Sequence, residues 1–168
     1  MIRRVALAGA LIALGAVGLF GPTVASAQPM DSGSCKIAGT AMFTPGLTAT
    51  PNTVAYKFSG TFSGCTGTDP TLQSGTVTAS GKGTNLSCTG GQSAGSAKVK
   101  WNNTKTSTIT FTTTGTGNMI TVTGTVTAGT EFKGDKTTSN LTFNANPTQC
   151  ATPAGVTSAP FSGSGSIS

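Results

Sequence analysis

A two-residue alternation across the segment 105–127 constrains the fold of this chain more than any other feature. Apolar residues occupy alternate positions before a Gly115-Thr116-Gly117-Asn118 break and again after it, and threonines fill most of the positions between them. Alternation with a period of two predicts β-strands that bury one face, and a Gly/Asn break between them predicts a turn. The inward positions are Ile109, Phe111 and Thr113, then Ile120, Val122, Gly124 and Val126. The segment therefore predicts a β-hairpin with a threonine-covered outer face.

The same alternation recurs from residue 35 to the C-terminus, and no helical periodicity interrupts it. Short strands with turn signals about every eight to twelve residues are typical of antiparallel sandwiches and barrels. The segment 81–96 is less regular, and we interpret it as an exposed loop around Cys88, with at most a short strand near Leu86. The other predicted strands cover residues 36–43, 53–63, 73–80, 97–102, 139–145 and 156–167. The sequence thus predicts an all-β fold, a single antiparallel β-sandwich or flattened β-barrel of about eight or nine strands.

A short motif places a glycine on the inward parity of three predicted strands, at residues 58–62 (FSGTF), 73–77 (QSGTV) and 122–126 (VTGTV). Glycine within a strand usually marks a bend, a bulge or a close approach of two backbones. We therefore interpret these glycines as places where a curved sheet needs room, rather than as a ligand-binding motif.

The N-terminal residues have the pattern of a secretory signal peptide. Arg3 and Arg4 precede an apolar run over residues 5–20, and Ala25-Ser26-Ala27 supplies small residues for signal peptidase. The apolar run is shorter than a membrane-spanning helix usually needs, and nothing after it predicts a span in the mature chain. The predicted organisation is a signal peptide at residues 1–27, a flexible leader at 28–34 and one β-domain at 35–168.

The four cysteines predict two disulfides, as expected of an exported chain. The sequence alone allows three connectivities. If successive strands alternate in direction, Cys35 and Cys65 lie at one end of the sheet, and Cys88 and Cys150 lie at the other. Alternation of strand direction therefore favours the pairs Cys35–Cys65 and Cys88–Cys150.

The residue types for catalysis are poorly represented. The chain contains no histidine, the commonest general base at neutral pH, so a Ser–His–Asp or Cys–His arrangement is excluded. The acidic residues after the predicted cleavage site are expected at turns or in solvent, and they are Asp31, Asp69, Glu131 and Asp135. Widely spaced cysteines in an oxidising compartment do not suit zinc. We expect a non-catalytic chain with no cofactor and no metal.

The charge of the chain argues against nucleic acid as a partner. The formal net charge of +6 falls by two, to +4, once Arg3 and Arg4 are removed with the signal peptide. The remaining lysines are spread along the chain, whereas nucleic-acid-binding proteins cluster basic residues and interleave them with aromatic ones. We interpret the positive balance as a solvated surface.

Four aromatic residues are the most specific candidates for a ligand site. Tyr56, Phe58, Trp101 and Phe111 all have the inward parity of their predicted strands. In a filled sandwich they would be core residues, but in a barrel with an open mouth they would line a small apolar cavity. Two functional hypotheses follow: a domain that binds a partner or surface at the cell envelope or outside the cell, and a carrier of a small apolar ligand with a cavity lined by Tyr56 and Trp101.

Several short segments resemble a group of small secreted proteins of actinobacteria. The leader with its Ala25-Ser26-Ala27 site is one, and the others are residues 39–47 (GTAMFTPGL), 56–60 (YKFSG) and Gly64-Cys65. The resemblance implies export and a small β-rich domain. The group has no assigned activity, so the resemblance implies no functional residues.

Overall fold

A computed structural model of the protein describes residues 32–168. The predicted signal peptide, most of the predicted leader and Asp31 lie outside the described residues, whereas Gly33 and Ser34 of that leader belong to the first strand. A single short 3-10 helix, Pro147–Ala151, precedes the last strand of this described part. The strands are β1 Gly33–Leu47, β2 Asn52–Gly67, β3 Gly75–Leu86, β4 Gly90–Trp101, β5 Thr106–Thr116, β6 Met119–Gly129, β7 Lys136–Phe143 and β8 Val156–Ile167.

The eight strands form a closed antiparallel barrel. Each strand pairs with the next along the chain, and β8 pairs with β1 over a register from Gly33↔Ile167 to Met42↔Ser158. A closed barrel has no free sheet edge, and eight strands leave an interior wide enough for side chains or one small ligand. The all-β, antiparallel prediction is confirmed, and of its two alternatives the structure shows the barrel.

The two disulfides lie at opposite ends of the barrel and have the predicted pairing, Cys35–Cys65 and Cys88–Cys150. We call the end with Cys35–Cys65 the base and the end with Cys88–Cys150 the top. At the top, the disulfide joins the turn between β3 and β4 to the 3-10 helix, and Cys88 N–H also donates to the Thr48 carbonyl. The pairing was predictable because every connection in the barrel links neighbouring antiparallel strands.

Three predicted boundaries are wrong by four residues or more. The strand predicted at residues 53–63 continues to Gly67. The segment 81–96 is not a loop, because β3 and β4 continue through it as a hairpin with pairs such as Gly81↔Gly95 and Lys82↔Ala94. Most of its inward positions are occupied by glycine and serine, so the apolar alternation that marks the other strands is largely missing there. Similarly, Thr44-Pro45-Gly46 does not end the first strand, since β1 runs through a cis Thr44–Pro45 peptide bond to Leu47.

The interior is organised as two apolar clusters on opposite sides of the barrel. One cluster is built mainly from β3 to β6 around Val99 and Trp101, and the other from β1, β2, β7 and β8 around Val54 and Phe161. Tyr56, Phe58, Phe62 and Val122 pack against both clusters and keep part of their surface accessible. The accessible interior of the barrel therefore lies beside these four side chains.

The outer surface is covered mainly by threonine, serine and lysine, as the alternation predicted. Within residues 32–168, the 3-10 helix is far too short to cross a membrane, and no other helix is present that could do so.

Candidate functional site

The barrel encloses a cavity of about 380 Å³. Its walls are mostly apolar side chains from all eight strands, and exposed residues line it at both ends. Small-molecule sites in proteins are concave, largely apolar and about 300–1,000 Å³ in volume. The interior thus has the size and character of a site for one small molecule.

All four sequence-predicted aromatic residues line this cavity, but they do not form one cluster. Trp101 is at the end of β4, at the base, whereas Tyr56 lies near the start of β2, towards the top. The Phe58 ring packs on Phe161 with 4.4 Å between ring centroids. Phe111 covers Gly95 on the neighbouring strand, where a Cβ atom would lie 2.8 Å from the Phe111 ring. The cavity wall is therefore aromatic along its whole length rather than at one point.

An aromatic group covers part of the base. Trp101 is 4% exposed, stacks on Phe62 at 5.4 Å and meets the edge of Phe132 at 5.5 Å, and Leu72 packs into the same cluster from the loop before β3. The Trp101 indole N–H donates to the buried Ser107 hydroxyl at 3.0 Å, and that hydroxyl donates to the Glu131 carbonyl. Because its only donor is already engaged, Trp101 contributes an apolar wall and no polar contact.

Below this group, Lys105 joins two loops of the base. Its ammonium lies 2.6 Å from Glu131 Oε2 and 3.6 Å from Asp69 Oδ2. Glu131 is 5% exposed, so the prediction that it lies in solvent is wrong; its ammonium partner makes that burial tolerable. The Glu131 carboxylate raises the pKa of Lys105, and the hydroxyl and N–H of Thr71 lower the pKa of Asp69. These charges fasten the loops outside the barrel.

The main polar feature of the cavity wall is a chain of three hydroxyl groups. The Tyr56 hydroxyl oxygen lies 2.9 Å from Ser93 Oγ, which lies 2.6 Å from Thr113 Oγ1. Tyr56 reaches Ser93 across β3 because Gly81 has no side chain; a Cβ atom there would meet the Tyr56 hydroxyl. Burial raises the pKa of Tyr56, while its hydrogen bond with Ser93 acts in the opposite direction. The phenol therefore stays protonated at neutral pH.

Part of this hydroxyl chain could be read from the sequence. The alternation of the hairpin at 105–127 predicts an inward Thr113, and the inward parity of β2 predicts an inward Tyr56. Ser93 was missed because it falls in the segment interpreted as a loop. The signal that could have found it is the parity of Ala97, Val99 and Trp101, which continues backwards through Gly95 to Ser93.

The lining of the cavity is almost free of charge. Apart from the Tyr56 phenol, the only ionisable acidic or basic side chain among the described residues that line the cavity is that of Asp69, at the base. Within residues 32–168, no group of three or more His, Cys, Asp or Glu side chains is placed to hold a metal ion. The arrangement can enclose a neutral molecule and offer it hydrogen bonds, with three linked hydroxyls gathered at one place. No family model, curated protein or solved structure matches the chain.

Proposed function

We propose that this protein is an exported carrier that holds one small, mainly apolar molecule inside its barrel. The observation that supports this most is the 380 Å³ cavity, whose wall includes all four inward aromatic residues. Burial of apolar surface drives such binding at about 25 cal/mol per Å² removed from water. Export is proposed from the N-terminal pattern, and the two disulfides suit an oxidising compartment. Binding rather than catalysis is proposed because the linked hydroxyls of Tyr56, Ser93 and Thr113 contact no carboxylate within residues 32–168, and the chain has no histidine.

Filling part of the cavity should weaken the binding of a neutral fluorescent probe. Val122 lines the cavity between the two clusters, so Val122→Phe places a ring in the space that a ligand would occupy. N-phenylnaphthylamine should gain fluorescence with the wild-type chain and quench Trp101, the single tryptophan. We expect Val122→Phe to weaken the affinity at least about tenfold, because the added ring and the probe would overlap and overpacking a protein interior costs free energy.

The matched control is Thr123→Phe, which adds a similar ring at the next residue on the exposed outer face. It should bind the probe like wild type. If Val122→Phe folds, by circular dichroism, and also binds like wild type, the interior is not the site. Ile120→Phe, nearer the top rim of the same lining, provides a second variant if Val122→Phe does not fold.

Binding of an anionic partner at the cell envelope is the second candidate function. Lys57, Lys82, Lys98 and Lys100 are exposed on the outer face of β2, β3 and β4. The two ion pairs within the described residues both involve Lys105 instead, so these four lysines have no carboxylate partner there. Binding of an anionic polymer, polyglutamate, that persists in Val122→Phe and is lost at high salt would favour this outer face.

A further inference from the structure

We propose that the ligand is neutral and carries one polar group, a carbonyl or a hydroxyl, that hydrogen-bonds to the Tyr56–Ser93–Thr113 hydroxyl chain. This inference rests on the proposed carrier function and specifies the chemical class that the cavity selects. It depends on three features: the unused hydrogen-bonding capacity of the chain, its fixed position, and the absence of a cation in the described cavity lining.

The hydroxyl chain has one proton more than it uses. Each of the three hydroxyls has one O–H donor and two acceptor lone pairs. Two hydrogen bonds link them, so two donors are engaged and the third has no partner among the three. A ligand oxygen placed beside that hydroxyl would accept this proton. A ligand hydroxyl could also donate to a free lone pair.

The hydroxyl chain is held in place before any ligand binds. Ser93 and Thr113 are directly opposed on β4 and β5, so the register of two paired strands fixes their oxygens. Tyr56 lies over Gly81, and its ring is confined between the two core clusters. Groups that are already oriented lose little conformational entropy on binding, which makes their hydrogen bonds selective. The site therefore distinguishes ligands by whether an oxygen reaches this position.

A carboxylate is a poor fit to the same position. Moving an ionised group from water into an apolar interior is costly unless a counter-charge receives it. Lys105 is engaged with Glu131 and Asp69 at the base, and the one charged residue in the described lining, Asp69, is itself negative. A neutral oxygen meets hydroxyl donors without this penalty, so the cavity should reject fatty-acid-like anions.

The geometry also orients the ligand. The hydroxyl chain lies in the half of the barrel towards the top. Tyr56 and Ser93 come shortly after the starts of β2 and β4 at that end, and Thr113 comes shortly before the end of β5 there. The Trp101, Phe62 and Phe132 rings lie at the base. The polar group of the ligand thus faces the top and its apolar part points towards the aromatic base.

Four probes with one carbon skeleton test the inference: butylbenzene, benzylacetone, phenylbutanol and phenylbutyrate. Each is titrated against the full exported chain at pH 7 by displacement of N-phenylnaphthylamine. A hydrogen bond of ordinary net strength makes the ketone and the alcohol bind about three- to tenfold more tightly than butylbenzene. The carboxylate should bind at least about tenfold more weakly than the alcohol, because its charge is desolvated.

Variants then assign the preference to the hydroxyl chain. The triple variant Tyr56→Phe/Ser93→Ala/Thr113→Val removes all three hydroxyls. It should bind butylbenzene within about twofold of wild type but lose the preference for the ketone, since only hydrogen bonds are removed. Thr113→Ser keeps three hydroxyls and should keep the preference. Ser139→Ala is the control, because Ser139 also lines the cavity, on β7, but its hydroxyl makes no hydrogen bond with another described residue.

The possible failures are distinguishable. If all four probes bind wild type equally, or if Ser139→Ala rather than the chain variants removes the preference, the hydroxyl chain is not the polar subsite, while the carrier function stands. If none of the probes binds wild type at all, both the carrier function and this inference are overturned.

Discussion

Replacing both Cys88 and Cys150 by serine is expected to lower the free energy of unfolding by about 4 kcal/mol at 25 °C, because the disulfide closes a long loop and thereby reduces the entropy of the unfolded chain. The disulfide spans 62 positions of sequence and joins the β3–β4 turn to the 3-10 helix at the top. Without it, the unfolded chain gains freedom. Urea unfolding measures the effect. The midpoint should fall by about 2 M if the free energy of unfolding decreases by about 2 kcal/mol per M of urea.

The matched comparison is the double serine variant of Cys35 and Cys65. That disulfide spans 30 positions, so the same entropic relation gives a slightly smaller loss, still close to about 4 kcal/mol. A loss below about 1 kcal/mol for the Cys88–Cys150 variant would contradict the expectation. It would mean that the hydrogen bonds between the top loops hold that end together without the covalent bond.

Gly39→Ala is expected to destabilise the barrel by about 3 kcal/mol or more, a value typical of forced overpacking. Gly39 on β1 faces Gly60 on β2, and the Phe161 ring covers both. A Cβ atom at Gly39 would lie 2.6 Å from Gly60 Cα and 2.7 Å from Phe161 Cζ, and it would also collide with the Ser59 carbonyl oxygen. Backbone atoms cannot move aside as a flexible side chain can, so the strands must separate.

Gly115→Ala is the control, because it adds the same methyl group to an inward glycine near the end of β5. There the nearest atoms, Gly90 Cα and Ile120 Cγ1, would be 3.4 Å away, which is ordinary contact. We expect a change within about 1 kcal/mol, measured by urea unfolding beside Gly39→Ala. Equal effects of the two substitutions would contradict the close approach of β1 and β2.

The strands and disulfides could be predicted because they depend on local alternation and on the direction of successive strands. Closure into a barrel could not be predicted, because it depends on β1 pairing with β8 at the far end of the chain. Both strands show the same alternation whether they pair with each other or lie in separate sheets. Gly60, Gly75 and Gly124 were expected to mark curvature or a close approach of two backbones, and in the structure a Cβ atom at each would come close to a carbonyl oxygen of the neighbouring strand.

The candidate site could be predicted only in part. Strand parity places Tyr56 and Trp101 inside, but it does not show that they lie at opposite ends of the interior. The base depends on loop residues: Leu72 packs inward, Phe132 has a positive φ of 58°, and Glu131 is buried beside Lys105. Loops carry no periodicity, so nothing in the sequence distinguishes these residues from solvated turn residues.

The central claim is that a small neutral molecule occupies the barrel interior. Nuclear Overhauser effects between unlabelled benzylacetone and the ¹³C-labelled protein test it most directly, because they require a separation of a few ångströms. We expect contacts to the methyl groups of Val99, Ile109 and Val122, which line the cavity. Contacts confined to outward methyl groups such as those of Thr112 and Thr123, or no contacts at saturating benzylacetone, would contradict the claim.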